Sequence, residues 1–243
     1  MTNRVAIITG ASRGIGEAIA VRIANDGYSV VVGYKGAKDK ADNVVKAITS
    51  AGGEAIAVQV DIADEASVKS LFSQTVEKFG GVDAVVNSAG MMQLSPIAEG
   101  NIELFDQTIA TNLRGTFLVL SQAAQNVREG GRIVAISTSV VVPAFPTYGA
   151  YVSAKAGSEG LVRVLANEMR GKNITVNAVS PGPVATELFL HGKPQAVIDK
   201  LSKIPPLERL GQPEDIASTV SFLLGKDGGW INAQIIRANG GFV

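Results

Sequence analysis

The sequence predicts a doubly wound parallel α/β sheet of about seven strands with helices on both faces, on three observations. Short β-branched runs alternate with longer helical patterns along the whole chain, which is the signature of repeated βαβ units. Most of the short runs are continuously apolar, as expected of strands buried on both faces. The first of them ends in the glycine-rich turn Thr9-Gly10-Ala11-Ser12-Arg13-Gly14-Ile15-Gly16, the place where such a sheet meets a ligand. No linker, low-complexity tract or internal repeat interrupts the alternation, so residues 1–243 read as one domain. Folds of this class reach that length without splitting.

Taken in order, strands are expected at Val5–Thr9, Ser29–Val32, Ala55–Val60, Ala84–Asn87, Arg132–Ser137, Thr175–Val179 and Gln234–Arg237. Helices are expected between them at Gly14–Asn25, Lys38–Ala51, Glu65–Phe79, Ile102–Arg128, Gly149–Arg170 and Pro213–Leu224. One interval breaks the rhythm. Pro181 to Gln212 is a stretch of about thirty residues holding Pro181, Pro183, Pro194, Pro205 and Pro206, with a short amphipathic piece near Gln195–Ile204. Loops this long in compact domains are usually functional, and this one follows a strand's carboxyl end. Residues 182–212 therefore read as a substrate lid.

Composition narrows the function classes. Hydrophobic residues make up 46% of the chain and charged residues 18%, enough for a large core and too little charge for disorder. Net charge is zero and no Lys/Arg run appears, which argues against a nucleic-acid partner. The absence of cysteine excludes disulfides and thiolate chemistry, and the single histidine, His191, makes no metal cluster. Met1-Thr2-Asn3-Arg4 leads into a strand-like run without a signal-peptide pattern, and no apolar stretch approaches the roughly 18 residues of a membrane span. The expectation is a cytoplasmic protein that needs no membrane.

Two local patterns carry chemistry. Gly10 allows a tight turn after the first strand, while Gly14 and Gly16 let backbone N–H groups at the next helix approach a pyrophosphate. Far downstream, Tyr151 and Lys155 stand four apart, on one face of a helix. A free tyrosine has a pKa of about 10, and a neighbouring ammonium is expected to lower it towards the working range. Together they point to hydride transfer between a nicotinamide and a carbonyl or alcohol. An NAD site usually offers a carboxylate at the end of the second strand to the ribose 2′-hydroxyl; here that place holds Tyr34 followed by Lys35, and Arg13 in the glycine loop is a second cation. This favours NADP(H) over NAD(H).

The spacing Gly10-x-x-x-Gly14-x-Gly16 resembles the glycine signature of the short-chain dehydrogenase/reductase family, whose fold is Rossmann-like. The rest of the chain agrees. Asn87-Ser88-Ala89-Gly90 is similar to that family's Asn-Asn-Ala-Gly, with Ser88 a departure; Asp61-Ile62, Asn112, Tyr151-x-x-x-Lys155 and Pro181-Gly182-Pro183-Val184-Ala185-Thr186 match its further motifs. The resemblance spans essentially the whole chain. It implies that Ser12, Arg13, Ile15, Asp61, Ile62, Asn87, Ala89, Gly90, Pro181, Gly182, Val184 and Thr186 surround the cofactor, that Lys155 also bonds the nicotinamide ribose, and that Asn112 holds a water relaying protons to the lysine. A catalytic hydroxyl, normally serine, is implied thirteen residues before the tyrosine, which gives Thr138, with Ser139 as alternative and Ser137 as a third.

Overall pattern resembles the 3-oxoacyl-[acyl-carrier-protein] reductases, which implies an NADPH-dependent carbonyl reductase acting on a ketone such as a 3-oxoacyl thioester. The alternatives are an NADP-dependent alcohol, sugar or steroid dehydrogenase, or an NADP-sensing protein without chemistry; a sensor would be expected to lose the Tyr/Lys pair. Phe145, Tyr148, Leu188 and Phe189, with Met91 and Met92, suggest an apolar substrate mouth. The resemblance also implies a homotetramer (or dimer) through the helices at Ile102–Arg128 and Gly149–Arg170, where Leu161, Val164 and Leu165 offer apolar surface.

Overall fold

In the computed structural model, which describes residues 4–243, seven parallel strands form one sheet in the order β3-β2-β1-β4-β5-β6-β7. The lead-in Met1–Asn3 lies outside the described residues. The strands are β1 (Arg4–Thr9), β2 (Tyr28–Tyr34), β3 (Ala55–Gln59), β4 (Val82–Asn87), β5 (Val127–Ile136), β6 (Thr175–Pro181) and β7 (Ile235–Ala238). Helices α1 (Gly14–Asn25), α2 (Lys38–Ser50) and α9 (Pro213–Leu224) cover one face. On the other lie α3 (Glu65–Phe79), α5 (Gly115–Asn126) and α6 (Gly149–Glu168). Chain order reverses between β1 and β4, so a cleft opens at their carboxyl ends.

The two-residue strand period sorts the core. Ala6, Ile8, Val30 and Val32 pack with Ile19, Ile23, Val44 and Ile216 under α1, α2 and α9. Ile7, Val31 and Val85 pack with Leu71, Phe72, Val119 and Val162 under the opposite helices. Each fully buried Val, Ile or Leu contributes about 1.5–3 kcal/mol. That outweighs the roughly 1 kcal/mol of a missing cap, which is why α2 persists although Ala37 gives it no side-chain cap. Other ends are well punctuated. Asp64 caps α3 by accepting from the Ser67 N–H at 2.8 Å, and Gly80 ends it in the left-handed region. Gln212 and Asp215 make a capping box around Pro213 at the start of α9.

Two expectations need correction. The helix expected over Ile102–Arg128 is α4 (Ile102–Ile109), a π-helical turn at Ala110–Arg114, and α5, which stops at Asn126. Strand β5 then starts at Val127, earlier than expected. The polar run Arg128-Glu129-Gly130-Gly131 hides this start, because the β4–β5 register shifts there, between the Val82–Val127 and Ala84–Arg132 pairs. Segment 182–212 is also more ordered than a plain loop. It carries α7 (Glu187–Leu190) and α8 (Gln195–Ser202), and its two ends are tied together. Ala185 N–H donates to the Gly211 carbonyl and Gly211 N–H to the Pro183 carbonyl, both at 2.9 Å.

Candidate active site

The cleft has a volume of about 690 Å³ and runs from the glycine loop to the C-terminal tail. At its floor, β1 and β4 touch. A Cβ on Gly10 would lie 2.7 Å from the Ala89 Cα, and Gly10 itself has φ +65°, a conformation suited to glycine. Thr9 Oγ1 donates to Asn87 Oδ1 at 2.6 Å and accepts from the Ala89 N–H at 3.2 Å. Asn87 Nδ2 donates onward to Thr116 Oγ1 at 2.9 Å. This buried chain locks the glycine loop, β4 and α5 into one unit.

Most of the sequence-nominated residues line this cleft: Gly10, Ser12, Arg13, Gly14, Ile15 and Gly16; Lys35, Asp61 and Ile62; Ala89 and Gly90; Thr138, Tyr151 and Lys155; and Pro181, Gly182, Val184 and Thr186. Four do not. Asn87 is spent on Thr9 and Thr116 inside the protein. Tyr34 turns into the core beneath α1, because it shares a strand face with Val30 and Val32. Ser139 is fully buried, donating to the Ser180 carbonyl at 2.9 Å and accepting from Asn239 Nδ2 at 3.0 Å. Asn112 is also fully buried and clamps Met91 from both sides, Oδ1 accepting from its N–H at 2.9 Å and Nδ2 donating to its carbonyl at 2.8 Å.

The Asn112 position follows from the π-helical turn, a feature often found at functional sites. Its carbonyl accepts from Thr116 Oγ1 at 2.7 Å and Ser158 Oγ at 3.0 Å. Both lone pairs of that oxygen and both ends of the amide are thus engaged within the protein. The geometry gives Asn112 the task of shaping the Gly90–Met91 backbone.

At the far end, Tyr151 and Thr138 line the cleft together. Burial pushes the Tyr151 phenol up to about 12, and the Thr138 hydroxyl, which acts to lower it, offsets only part of this. The expected lowering by Lys155 is therefore not met. Lys155 Nζ donates instead to the Ile136 carbonyl at 2.7 Å and stands 6.0 Å from the centre of the Tyr151 ring. Burial pushes this ammonium down to about 8. Near pH 7 both groups hold their protons, with Tyr151 far on the acid side.

Sequence reasoning missed three contributors, Glu159, Phe242 and Leu201. Ser137 Oγ donates to the buried Glu159 at 2.7 Å, bracing the end of β5 against α6. Phe242, from the C-terminal tail, meets Phe145 edge-on at 6.1 Å. Phe145 and Tyr148, and Tyr148 and Tyr151, make similar contacts at 6.3 Å. With Met91, Met92, Leu188, Phe189 and Leu201 they give an apolar mouth beside Tyr151. Among the described residues, the cations lining the cleft are Lys155 and, at the glycine-loop end, Arg13 and Lys35. Among the described residues no His/Cys/Asp/Glu group fits a metal ion, and no helix is long and apolar enough to cross a membrane.

The placement of Thr138 and Ser139 predicts a split. Thr138→Val is expected to lower kcat at least about tenfold and to cost at most about 1 kcal/mol of stability, since it removes the hydroxyl, keeps the shape and loses only the long bond from the Val140 N–H, 3.3 Å. Ser139→Ala removes the Ser180 and Asn239 contacts, and should cost about 1–3 kcal/mol of stability while kcat stays within a few-fold. Steady-state rates and denaturant curves on both variants check this; the reverse pattern would move the catalytic hydroxyl to Ser139.

The cleft's plan is matched in known proteins. A family model described as Enoyl-(Acyl carrier protein) reductase matches residues 10–243. A short-chain type dehydrogenase/reductase of Picea abies is 42% identical, covering 99% of this chain and 92% of that protein. The NADPH-dependent aldehyde reductase 2, chloroplastic, of Arabidopsis thaliana is 41% identical over 99% and 94%. The 3-oxoacyl-[acyl-carrier-protein] reductase FabG of Staphylococcus epidermidis is 36% identical over 98% of each. A solved short chain dehydrogenase from Burkholderia cenocepacia in complex with NADP superposes with a TM-score of 0.93 at 32% identity, covering 98% of this chain and 97% of that one. The chain belongs to the short-chain dehydrogenase/reductase family and is an NAD(P)-dependent oxidoreductase.

Proposed function

We propose that this enzyme is an NADPH-dependent reductase of uncharged, largely apolar aldehydes or ketones. One observation carries the reading: the Thr138–Tyr151–Lys155 group opens onto an apolar, aromatic mouth, while the cleft's other cations lie at the opposite, glycine-loop end. The residues present suit a dinucleotide. The glycine loop lines the cleft where a pyrophosphate would lie, and Arg13 and Lys35, which line the same end, would flank a 2′-phosphate.

When bound, NADPH supplies the hydride that goes to the carbonyl carbon. The rest falls to the chain. Thr138 and Tyr151 hydroxyls donate to the substrate oxygen and fix which carbon faces the cofactor. Tyr151, protonated because burial has raised its pKa, gives its proton to the oxygen as negative charge builds there. Lys155, anchored on the Ile136 carbonyl, keeps a positive charge in the cleft, where it would hold the nicotinamide ribose. Residues 182–212 act as the lid, since Leu188, Phe189 and Leu201 form part of the mouth's wall.

A 3-oxoacyl thioester is the second reading, supported by the family model and by the FabG relative; its acyl chain would fit the same apolar mouth. Assembly into a homotetramer is part of the proposal. Phe105, Phe117 and Val164 on α4, α5 and α6 are exposed, although Leu165 is buried against the sheet. The test is a panel of an aromatic aldehyde, a diketone, a 3-oxoacyl thioester and a ketosugar, followed by loss of NADPH or NADH absorbance. Turnover of the apolar carbonyls with NADPH preferred is expected, and turnover confined to the ketosugar would refute the reading.

A further inference from the structure

Glu187, the first residue of α7, holds two cations from two other parts of the fold. Its Oε1 faces Arg13 of the glycine loop at 3.5 Å, and its Oε2 accepts from Lys40 of α2 at 2.9 Å. Lys40, then Arg13, hold its carboxyl below the usual carboxylate range. Sequence separation hid this contact, since Lys40 and Glu187 are 147 positions apart. Arg13 and Glu187 both line the cleft, beside Lys35, Gly36 and Ala37 at the end of β2. The second cation there is likewise paired, Lys35 with Asp61 at 2.7 Å.

We infer that Glu187 competes with the 2′-phosphate of NADP(H) for Arg13 and Lys40, so that binding of the phosphorylated cofactor, and not of NAD(H), unpins α7 and the mouth residues attached to it. The inference rests on the NADPH reading above. Three points support it. A carboxylate whose two oxygens bridge two cations does what a phosphate does at such a pair, but with one charge against nearly two. All three side chains are about half exposed, with relative exposures between 51% and 57%, so the pairs are weak enough to exchange. Leu188 and Phe189, the next two residues, line the substrate mouth, so a change at Glu187 reaches the reaction end through one short helix. Lys40 thereby becomes a 2′-phosphate determinant additional to Arg13 and Lys35, and Glu187 a residue that tunes the choice between the two cofactors.

The test uses adenosine 2′,5′-bisphosphate and adenosine 5′-monophosphate as probes, binding measured by calorimetry on the full chain. Glu187→Gln, isosteric and on the surface, is expected to tighten the bisphosphate about two- to tenfold and leave the monophosphate unchanged. Lys40→Ala should weaken the bisphosphate by a similar factor and leave the monophosphate alone. In hydrogen exchange on the wild type, the bisphosphate should raise exchange across residues 187–190 and the monophosphate should not. If Glu187→Gln weakens both probes alike, Glu187 is a clasp over the cofactor and the inference is wrong. It is equally wrong if the wild type prefers the bisphosphate and the variant leaves that preference unmoved; the NADPH reading would then stand alone. A wild type with no preference overturns both.

Discussion

Tyr151→Phe is expected to lower kcat by about 10²- to 10⁴-fold while NADPH affinity stays within a few-fold. The substitution removes the Tyr151 hydroxyl from the cleft it shares with Thr138, and it keeps the ring that packs edge-on against Tyr148. Thr138 remains to orient the carbonyl but is no general acid, so the proton has no buried donor. Pre-steady-state measurement with saturating NADPH separates the two quantities. An unchanged kcat would take Tyr151 out of the mechanism; an equal loss of cofactor affinity would make it a structural residue.

Gly16→Ala is expected to be the most damaging small change at the cofactor end. Its Cβ would fall 2.3 Å from the Gly10 carbonyl oxygen, 2.8 Å from the Gly10 carbonyl carbon and 3.0 Å from the Ala11 Cα. These are backbone atoms of a loop already pinned to β4, so relief must come from moving the first turn of α1. Overpacking of this kind costs about 1–3 kcal/mol, and the shifted N–H groups should weaken dinucleotide binding by at least about tenfold. Gly160→Ala on α6 is the control, since its Cβ meets nothing within 4 Å. Thermal melts with and without NADP, alongside cofactor titrations, decide the matter. Wild-type affinity in Gly16→Ala would show that the loop adapts and that the close approach is not essential.

Much of this architecture was legible in the chain. The bounds of α1, α3 and α9 coincide with the expected ones because Gly14, Gly80 and Pro213 punctuate the apolar rhythm. The start of β5 was hidden by its polar bulged run, and the π-helical turn is invisible to a periodicity argument since it inserts without breaking the helical pattern. At the site, motif position identified the neighbourhood but not side-chain direction. Asn87 and Asn112 turned inward to satisfy buried polar groups, and their partners Thr9, Thr116 and Ser158 lie too far away in sequence to be read. Tyr34 is different: its shared parity with Val30 and Val32 was a usable signal that it faces the core. The pKa of Tyr151 could not be foreseen either, because burial outweighs a lysine whose ammonium is directed at the Ile136 carbonyl.

The paired bonds among Pro183, Ala185 and Gly211 give the proposed lid a narrow neck. With the two ends already fastened side by side, the loop is closed at its base by bonds that do not involve its middle. Doubling its length would add only about 0.6 kcal/mol of closure entropy. That makes residues 188–204 an exchangeable cassette, in which insertions, deletions and grafts can alter the wall facing the substrate while sheet and acid–base group stay as they are. Substrate range can then drift quickly, by natural variation or by design, on a reaction centre that stays the same.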